Sequence, residues 1–212
     1  MKQSRLDQLA DGLFAIVMTI MVFEIKVPNL IDANNTLELA NALKLMLPIF
    51  LSYVLSFALL FTYWRAHHFF VSVYAKNIDT HLTNINALFF LFITLVPFST
   101  ALLGKYSGSQ LTTIIFGIHT ILIGICLFWI RSYVFQSDHI KNIEVSKGEI
   151  NRGTIRIFVP IISALLAIFL SFISKNWSLG LFTFAVLFNF SETSTKIINR
   201  FFNMLPKFFW SE

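Results

Sequence analysis

Long uncharged runs alternate with short charged stretches along the chain, and the runs have the length a bilayer demands. Residues 45–64 hold 20 positions without Asp, Glu, Lys or Arg, 82–104 hold 23, and 106–130 hold 25. Residues 157–174 add 18 and 176–191 add 16, with only Lys175 between them. About 20 helical residues, each rising 1.5 Å, cross a hydrocarbon core of roughly 30 Å. A lone strand in lipid would leave its backbone groups unpaired, so each run is predicted to be a helix. Pro48 and Pro97 are placed near span ends, where a missing backbone donor costs least.

The first segment is more polar. Only 12 uncharged residues separate Asp11 from Glu24, about 18 Å of helix. Extending it to 6–27 supplies the length but draws Asp7, Asp11, Glu24 and Lys26 to the membrane. A signal peptide is the competing reading, because Lys2 and Arg5 precede a short apolar run. Two acidic residues in that basic region, and no small-residue cleavage site after it, favour a genuine span. Six spans result, at about 6–27, 45–66, 82–104, 106–130, 156–174 and 176–194. The tail 192–210 is amphipathic and is expected to extend the sixth span into the interface.

Composition agrees. Apolar residues make up 56% of the 212 and charged residues 13%, about half the roughly 25% of a soluble domain. Mean hydropathy is +0.73. A soluble enzyme, a disordered tail and a nucleic-acid module are excluded, and the fold class is an all-α integral membrane protein. Cys126 is the single cysteine, so no intrachain disulfide holds it. The net charge of +5 reflects topology rather than nucleic acid. With six spans, twelve Lys and Arg fall on the side of the termini and four on the other. Both termini are therefore expected in the cytoplasm. The loop 132–156 has room for little more than a short cytoplasmic helix, and 1–212 reads as a single domain without internal repeats. A pore built from such a chain would take its symmetry from oligomerisation.

Polar residues within spans are the functional candidates, since an Asp at a helix centre costs roughly 2.5–3.5 kcal/mol on insertion scales. Antiparallel neighbours bring Asp11, His67 or His68, and Asn86 to similar depth, with Trp64 and His67 on one helix face. The expected cluster has two readings: a proton relay or gating latch, and interhelical bonds that fix packing. His119, midway along its span, is expected to bond a carbonyl or hydroxyl, or to sense protons. Adjacent His67 and His68 point about 100° apart and no carboxylate cluster joins them, so no metal site is predicted. No Ser/His/Asp arrangement or paired catalytic carboxylates point to an enzyme.

On the first helix, Gly12, Ile16, Ile20 and Phe23 recur at spacings of 4, 4 and 3 and form one stripe, with Thr19 beside it. Asp11 falls about 140° from Ile16 at 100° per residue, and is expected to face other helices. Such a stripe fits core, a lipid-facing surface or a pore wall.

The run from Arg5 through Asp11-Gly12 to Thr19 resembles the R-x-x-x-F-S-D-G signature of the transmembrane protein 175 family. Further matches are Val22 to Pro28 closing span 1, Tyr63-Trp64-Arg65-Ala66-His67-His68 closing span 2, and Asn86 to Leu91 with Val96 to Gly104 in span 3. Leu9 and Ala10 stand where the signature has Phe and Ser, so any bond made by that serine is absent.

The resemblance implies a bacterial potassium channel in the cell membrane. Six-span subunits would assemble as a homotetramer around a central pathway lined by helix 1, without a T-V-G-Y-G filter. Selection would occur at rings of Ile16, Ile20 and Phe23, with the Thr19 hydroxyl near the narrowest point. Arg5, Asp11, Gly12, Trp64, His67, His68 and Asn86 would carry the signature and polar network. Aliphatic rings offer no ligands in place of water, so a weak potassium-over-sodium preference is expected. Glu24 would either concentrate cations at the pore mouth or pair with Lys26. Potassium ions, the lipid bilayer and further copies of the chain are the expected partners, with no cofactor. A proton-coupled or ion-coupled secondary transporter is the alternative.

Overall fold

The computed structural model describes residues 2–31, 34–173 and 180. The sixth span and the amphipathic tail lie outside the described residues.

Among the described residues seven α-helices follow one another: α1 Gln3–Ile20, α2 Thr36–Leu45, α3 Leu47–His68, α4 Thr80–Thr94, α5 Val96–Lys105, α6 Gln110–Gln136 and α7 Lys147–Ser171. A 3₁₀ turn, Met21–Glu24, extends α1, and a π-helical turn, Phe69–Val73, extends α3. Among the described residues five helical stretches are long and apolar enough to cross a membrane: Gln3–Glu24, Leu47–Val73, Thr80–Lys105, Gln110–Gln136 and Lys147–Ser171.

Several boundaries differ from the sequence reading. Pro97 sits in the first turn of α5, in the middle of the third span rather than near its end. With no N–H to continue the ladder, it divides the span into α4 and α5 at Leu95. Pro48 occupies the first turn of α3, where the missing donor costs nothing. The fourth span starts at Gln110 and runs on to Gln136, and the fifth starts at Lys147. The region 132–156 therefore holds no separate short helix, only a connection over 137–146 between two long ones.

Charge-free counting stopped short because charges in these helices are accommodated. Arg131 donates from Nε to Thr154 Oγ1 at 2.8 Å, and its guanidinium lies 5.8 and 5.6 Å from the ring centres of Phe128 and Phe135. At the start of α7, the Ser146 hydroxyl caps the Glu149 N–H, and the Glu149 carboxylate accepts from the Ser146 N–H in return. The short α2 was not foreseen; Asn35 starts it by accepting from the N–H groups of Leu37 and Glu38.

The core runs the length of the bundle. Leu55, Leu59, Leu60 and Tyr63 of α3 are buried with Phe89 of α4 and Phe116, Ile123 and Leu127 of α6. Tyr63 keeps its hydroxyl satisfied by donating to the Thr120 carbonyl at 2.8 Å. Small residues set the closest approaches, as membrane helices require in the absence of a hydrophobic force between them. A Cβ on Gly104 of α5 would lie 2.5 Å from Ser52 Oγ and 3.1 Å from the Ile49 Cα of α3. Gly104→Val is therefore expected to force α3 and α5 apart and to destabilise the subunit by about 1–3 kcal/mol, read as a lower melting temperature in detergent.

Candidate functional site

One face of α1 is locked into the bundle. Leu6, Ala10, Phe14, Val17 and Met21 are each 5% exposed or less, and their spacings of 4, 4, 3 and 4 follow a single helical stripe. The opposite face is open: Ile16 is 59% exposed, Ile20 44% and Phe23 75%. Gln3–Glu24 is the least covered span, 28% buried against 44–50% in the other four. Phe23 lies in the 3₁₀ turn rather than the α-helix. Residues three apart eclipse there, so it remains in line with Ile20.

Polar and small residues share this open half. Arg5, Asp11, Gly12 and Thr19 are exposed. Thr19 directs its hydroxyl hydrogen back to the carbonyls of Ala15 and Ile16, both at 2.9 Å. That leaves its oxygen lone pairs as the outward polar feature. A Cβ on Gly12 would meet nothing within 4 Å. The glycine is not required by packing within the chain.

The polar residues expected in one cluster form two. Asp11 stays on the surface, where its carboxylate accepts from Trp64 Nε1 at 2.8 Å. It was expected to face other helices, and the helix it meets is α3, at the exposed edge of the bundle. His68 stacks on Trp64, with ring centres 5.8 Å apart and planes 19° apart. Across α3 lies a separate buried pair, with His67 Nε2 and Asn86 Oδ1 2.6 Å apart. The Asn86 amide nitrogen donates to the Leu82 carbonyl, so its oxygen faces the histidine and Nε2 carries the hydrogen. Phe89 stacks on His67 at 5.1 Å and Phe14 lies 6.4 Å away. Trp64 and His67 both belong to the last turns of α3, but the first bonds Asp11 at the surface and the second bonds Asn86 in the core beside Phe14 and Phe89.

His119 bridges the helix break. Its Nδ1 lies 2.9 Å from Ser99 Oγ and its Nε2 2.9 Å from the Phe92 carbonyl. Glu24 lines a cleft of about 560 Å³ together with Lys26, Met46, Phe98 and Lys105. Among the described residues its carboxylate has no ammonium within 4 Å, so the pairing with Lys26 is not formed. No three or more His, Cys, Asp or Glu side chains among the described residues gather as metal ligands would.

Sequence reasoning missed the anchors at the amino-terminal end. Gln3 donates to the carbonyls of Val71 and Ala75, both at 2.8 Å, and Asp7 accepts from the Ser72 hydroxyl at 2.8 Å. The Val71 and Ala75 carbonyls are available because the helix ends with the π-helical turn, and no residue pattern in Phe69–Val73 announces such a turn. Nearby, Asp79 caps α4, accepts from the Tyr133 hydroxyl and lies 3.5 Å from His139. Burial alone would raise its carboxyl pKa, but the Leu82 N–H, the Tyr133 hydroxyl and His139 together hold it below the ordinary 3.8.

A multi-span helical membrane protein whose first helix keeps a polar, small-residue face uncovered is a distinctive class, and comparison with known proteins places it. Residues 5–97 match the sequence model of the family described as endosomal/lysosomal potassium channel TMEM175. A potassium channel of Chryseobacterium sp. is 31% identical over 139 residues, 65% of this chain and 68% of that one. A potassium channel of Chamaesiphon minutus is 37% identical over 102 residues, 48% of this chain and 49% of that one. The match thus spans about half the length of the Chamaesiphon relative. The crystal structure of a lysosomal potassium-selective channel TMEM175 homolog from Chamaesiphon minutus superposes with a TM-score of 0.73 at 27% identity, covering 88% of this chain and 95% of that one. The chain belongs to the TMEM175 family.

Two outcomes follow from the polar contacts. Asn86→Leu leaves the buried His67 N–H without an acceptor and is expected to cost about 1–3 kcal/mol, read by thermal unfolding in detergent. The lowered pKa of Asp79 means its contacts contribute fully above the unfolded value of 3.8 and fade as pH falls through the folded one. Protection factors of the amides in 137–142, corrected for the intrinsic pH dependence of exchange, should therefore stay flat from neutral pH down to about 3.8 and fall only below it.

Proposed function

We propose that the chain forms a potassium-permeable cation channel, with copies of α1 around a central pathway and the open stripe of Ile16, Ile20 and Phe23 as its wall. The observation that carries this reading is the contrast between the two faces of α1, one packed dry and the other uncovered yet carrying Asp11, Gly12 and Thr19. Lipid would penalise that polar surface, whereas a water-bearing pathway or a second copy accommodates it. The names of the relatives point the same way, and none describes an enzyme.

In this reading the assembly is a homotetramer in a prokaryotic cell membrane with both termini cytoplasmic, and no cofactor is required. The branched side chains of Ile16 and Ile20 form the constriction, Thr19 presents lone pairs beside it, and Glu24 stands at the mouth. Passage through such a ring depends on diameter and on the cost of stripping water. Potassium, the more weakly hydrated ion, is favoured over sodium by a modest factor.

Reversal potentials of the purified protein in planar bilayers, under opposed potassium and sodium gradients, test this. Ile16→Asn is expected to raise conductance and move the permeability ratio toward unity. Unchanged conductance and ratio would refute the constriction, and saturable, pH-driven exchange without current steps would establish a carrier instead. Asp11→Ala, which removes the acceptor of Trp64 Nε1 at the exposed edge, should lower the yield of tetramer in detergent more than it alters selectivity in the channels that form.

A further inference from the structure

The amino-terminal end of the bundle carries a group of arginines that the channel reading does not use. Gly153 of α7 packs against Phe69, whose ring would lie 2.6 Å from a Cβ at that position. α3 approaches this contact from the opposite end of the bundle and α7 leaves it, so the two helices run antiparallel. One turn before Phe69 on α3 stands Arg65, and about one turn beyond Gly153 on α7 stands Arg156. The two therefore face each other at the same level, and Arg152 lies one turn from Arg156 on its own helix. The positive charges of Arg65 and Arg152 both act on Arg156.

Three guanidiniums so placed repel one another, and among the described residues no acid forms an ion pair with any of them. The ion pairs among the described residues are His139 with Asp79 and Lys141 with Asp138. Arg65 and Arg156, both half-buried, make no side-chain hydrogen bond among the described residues. Arg152 reaches only the Gly148 carbonyl of its own helix, at 3.4 Å. Glu149, three residues before Arg152 on α7, feels the charge of Arg152, but its carboxylate is hydrogen-bonded in the Ser146 cap and does not act on Arg156. Along α3, the side that carries Arg65 continues into the membrane through Val54 and Phe57, 44% and 40% exposed.

We propose that Arg65, Arg152 and Arg156 seat the phosphate of an anionic phospholipid, whose acyl chain lies along the Val54 and Phe57 side of α3. Planar guanidiniums match phosphate oxygens in pairs, basic pockets between membrane helices hold anionic head groups, and a bound phosphate cancels the repulsion that the chain leaves unanswered. The arginines lie on α3 and α7 rather than on the α1 wall, Arg65 following the Trp64 that bonds Asp11, and lipid binding there is read without conduction.

Native mass spectrometry of the full chain, released from detergent with equal amounts of phosphatidylglycerol and phosphatidylcholine, tests the proposal. The wild type should retain phosphatidylglycerol in preference by on the order of tenfold, and the preference should shrink as salt rises. R65Q/R156Q should abolish it, R65K/R156K should keep part of it, and K105Q, at the other end of the bundle, should leave it intact. Circular dichroism of each variant establishes that it is folded, and the lysine pair supplies the comparison if the glutamine pair is not. Equal retention of both lipids by the wild type, or an undiminished preference in a folded R65Q/R156Q, would overturn the site. Displacement of the lipid by glycerol 3-phosphate, which has no acyl chains, would show a site for free phosphate rather than a lipid. A changed oligomeric mass in R65Q/R156Q with lipid retention unaltered would mean the arginines meet another copy of the chain, and would also refute it.

Discussion

The dry packing of α1 against its neighbours is the contact on which the rest depends. Leu6, Phe14 and Met21 are almost fully enclosed, and Phe14 meets both His67 and Phe89. With that stripe fixed, helical geometry leaves no freedom over what the remaining residues face. Ile16, Ile20 and Thr19 are directed outward because Phe14, Val17 and Met21 are directed inward. A membrane interior close-packed to this degree tolerates only one rotation of the helix about its axis.

Polar contacts are divided between two tasks. His67 with Asn86, Tyr63 with Thr120 and His119 with Ser99 and Phe92 lie between helices and satisfy groups that lipid would leave bare. Gln3, Asp7 and Asp79 work at one end, where the chain returns on itself. There Lys76 donates to the Ile140 carbonyl and Asn142 to the Tyr74 carbonyl, at 2.7 and 2.8 Å, tying the segment after α3 to the one after α6. The opposite end relies on glycine contacts and on the cleft beside Glu24.

Much of this was legible from residue order. The helical period grouped Ile16, Ile20 and Phe23 on one stripe, because a stripe survives small errors in helix boundaries, but it left open whether that stripe was core, lipid-facing or pore wall. Trp64 with Asp11 and His67 with Asn86 followed from depth, since antiparallel helices place known positions side by side. Depth does not encode azimuth, however. It could not show that His67 and Asn86 would be buried beside Phe14 and Phe89 while Asp11 and Trp64 met at the surface. Nor could charge-free counting place the ends of α6 and α7, because Arg131 is accommodated by Thr154 and two phenyl rings. Pro97 was visible, but whether a proline ends a helix or splits a span depends on which neighbour can bond the carbonyls beside the break. His119 supplies that bond from another helix.

The wide turn at Phe69–Val73 has the footprint of one surplus residue in an otherwise regular rod. Each residue advances a helix by about 100°, so a surplus one rotates everything after it by more than a quarter circle. The carbonyls of Val71, inside that turn, and of Ala75, just beyond it, are the ones that Gln3 reaches. The chain's opening residues are therefore moored to a change of helical phase some seventy positions downstream.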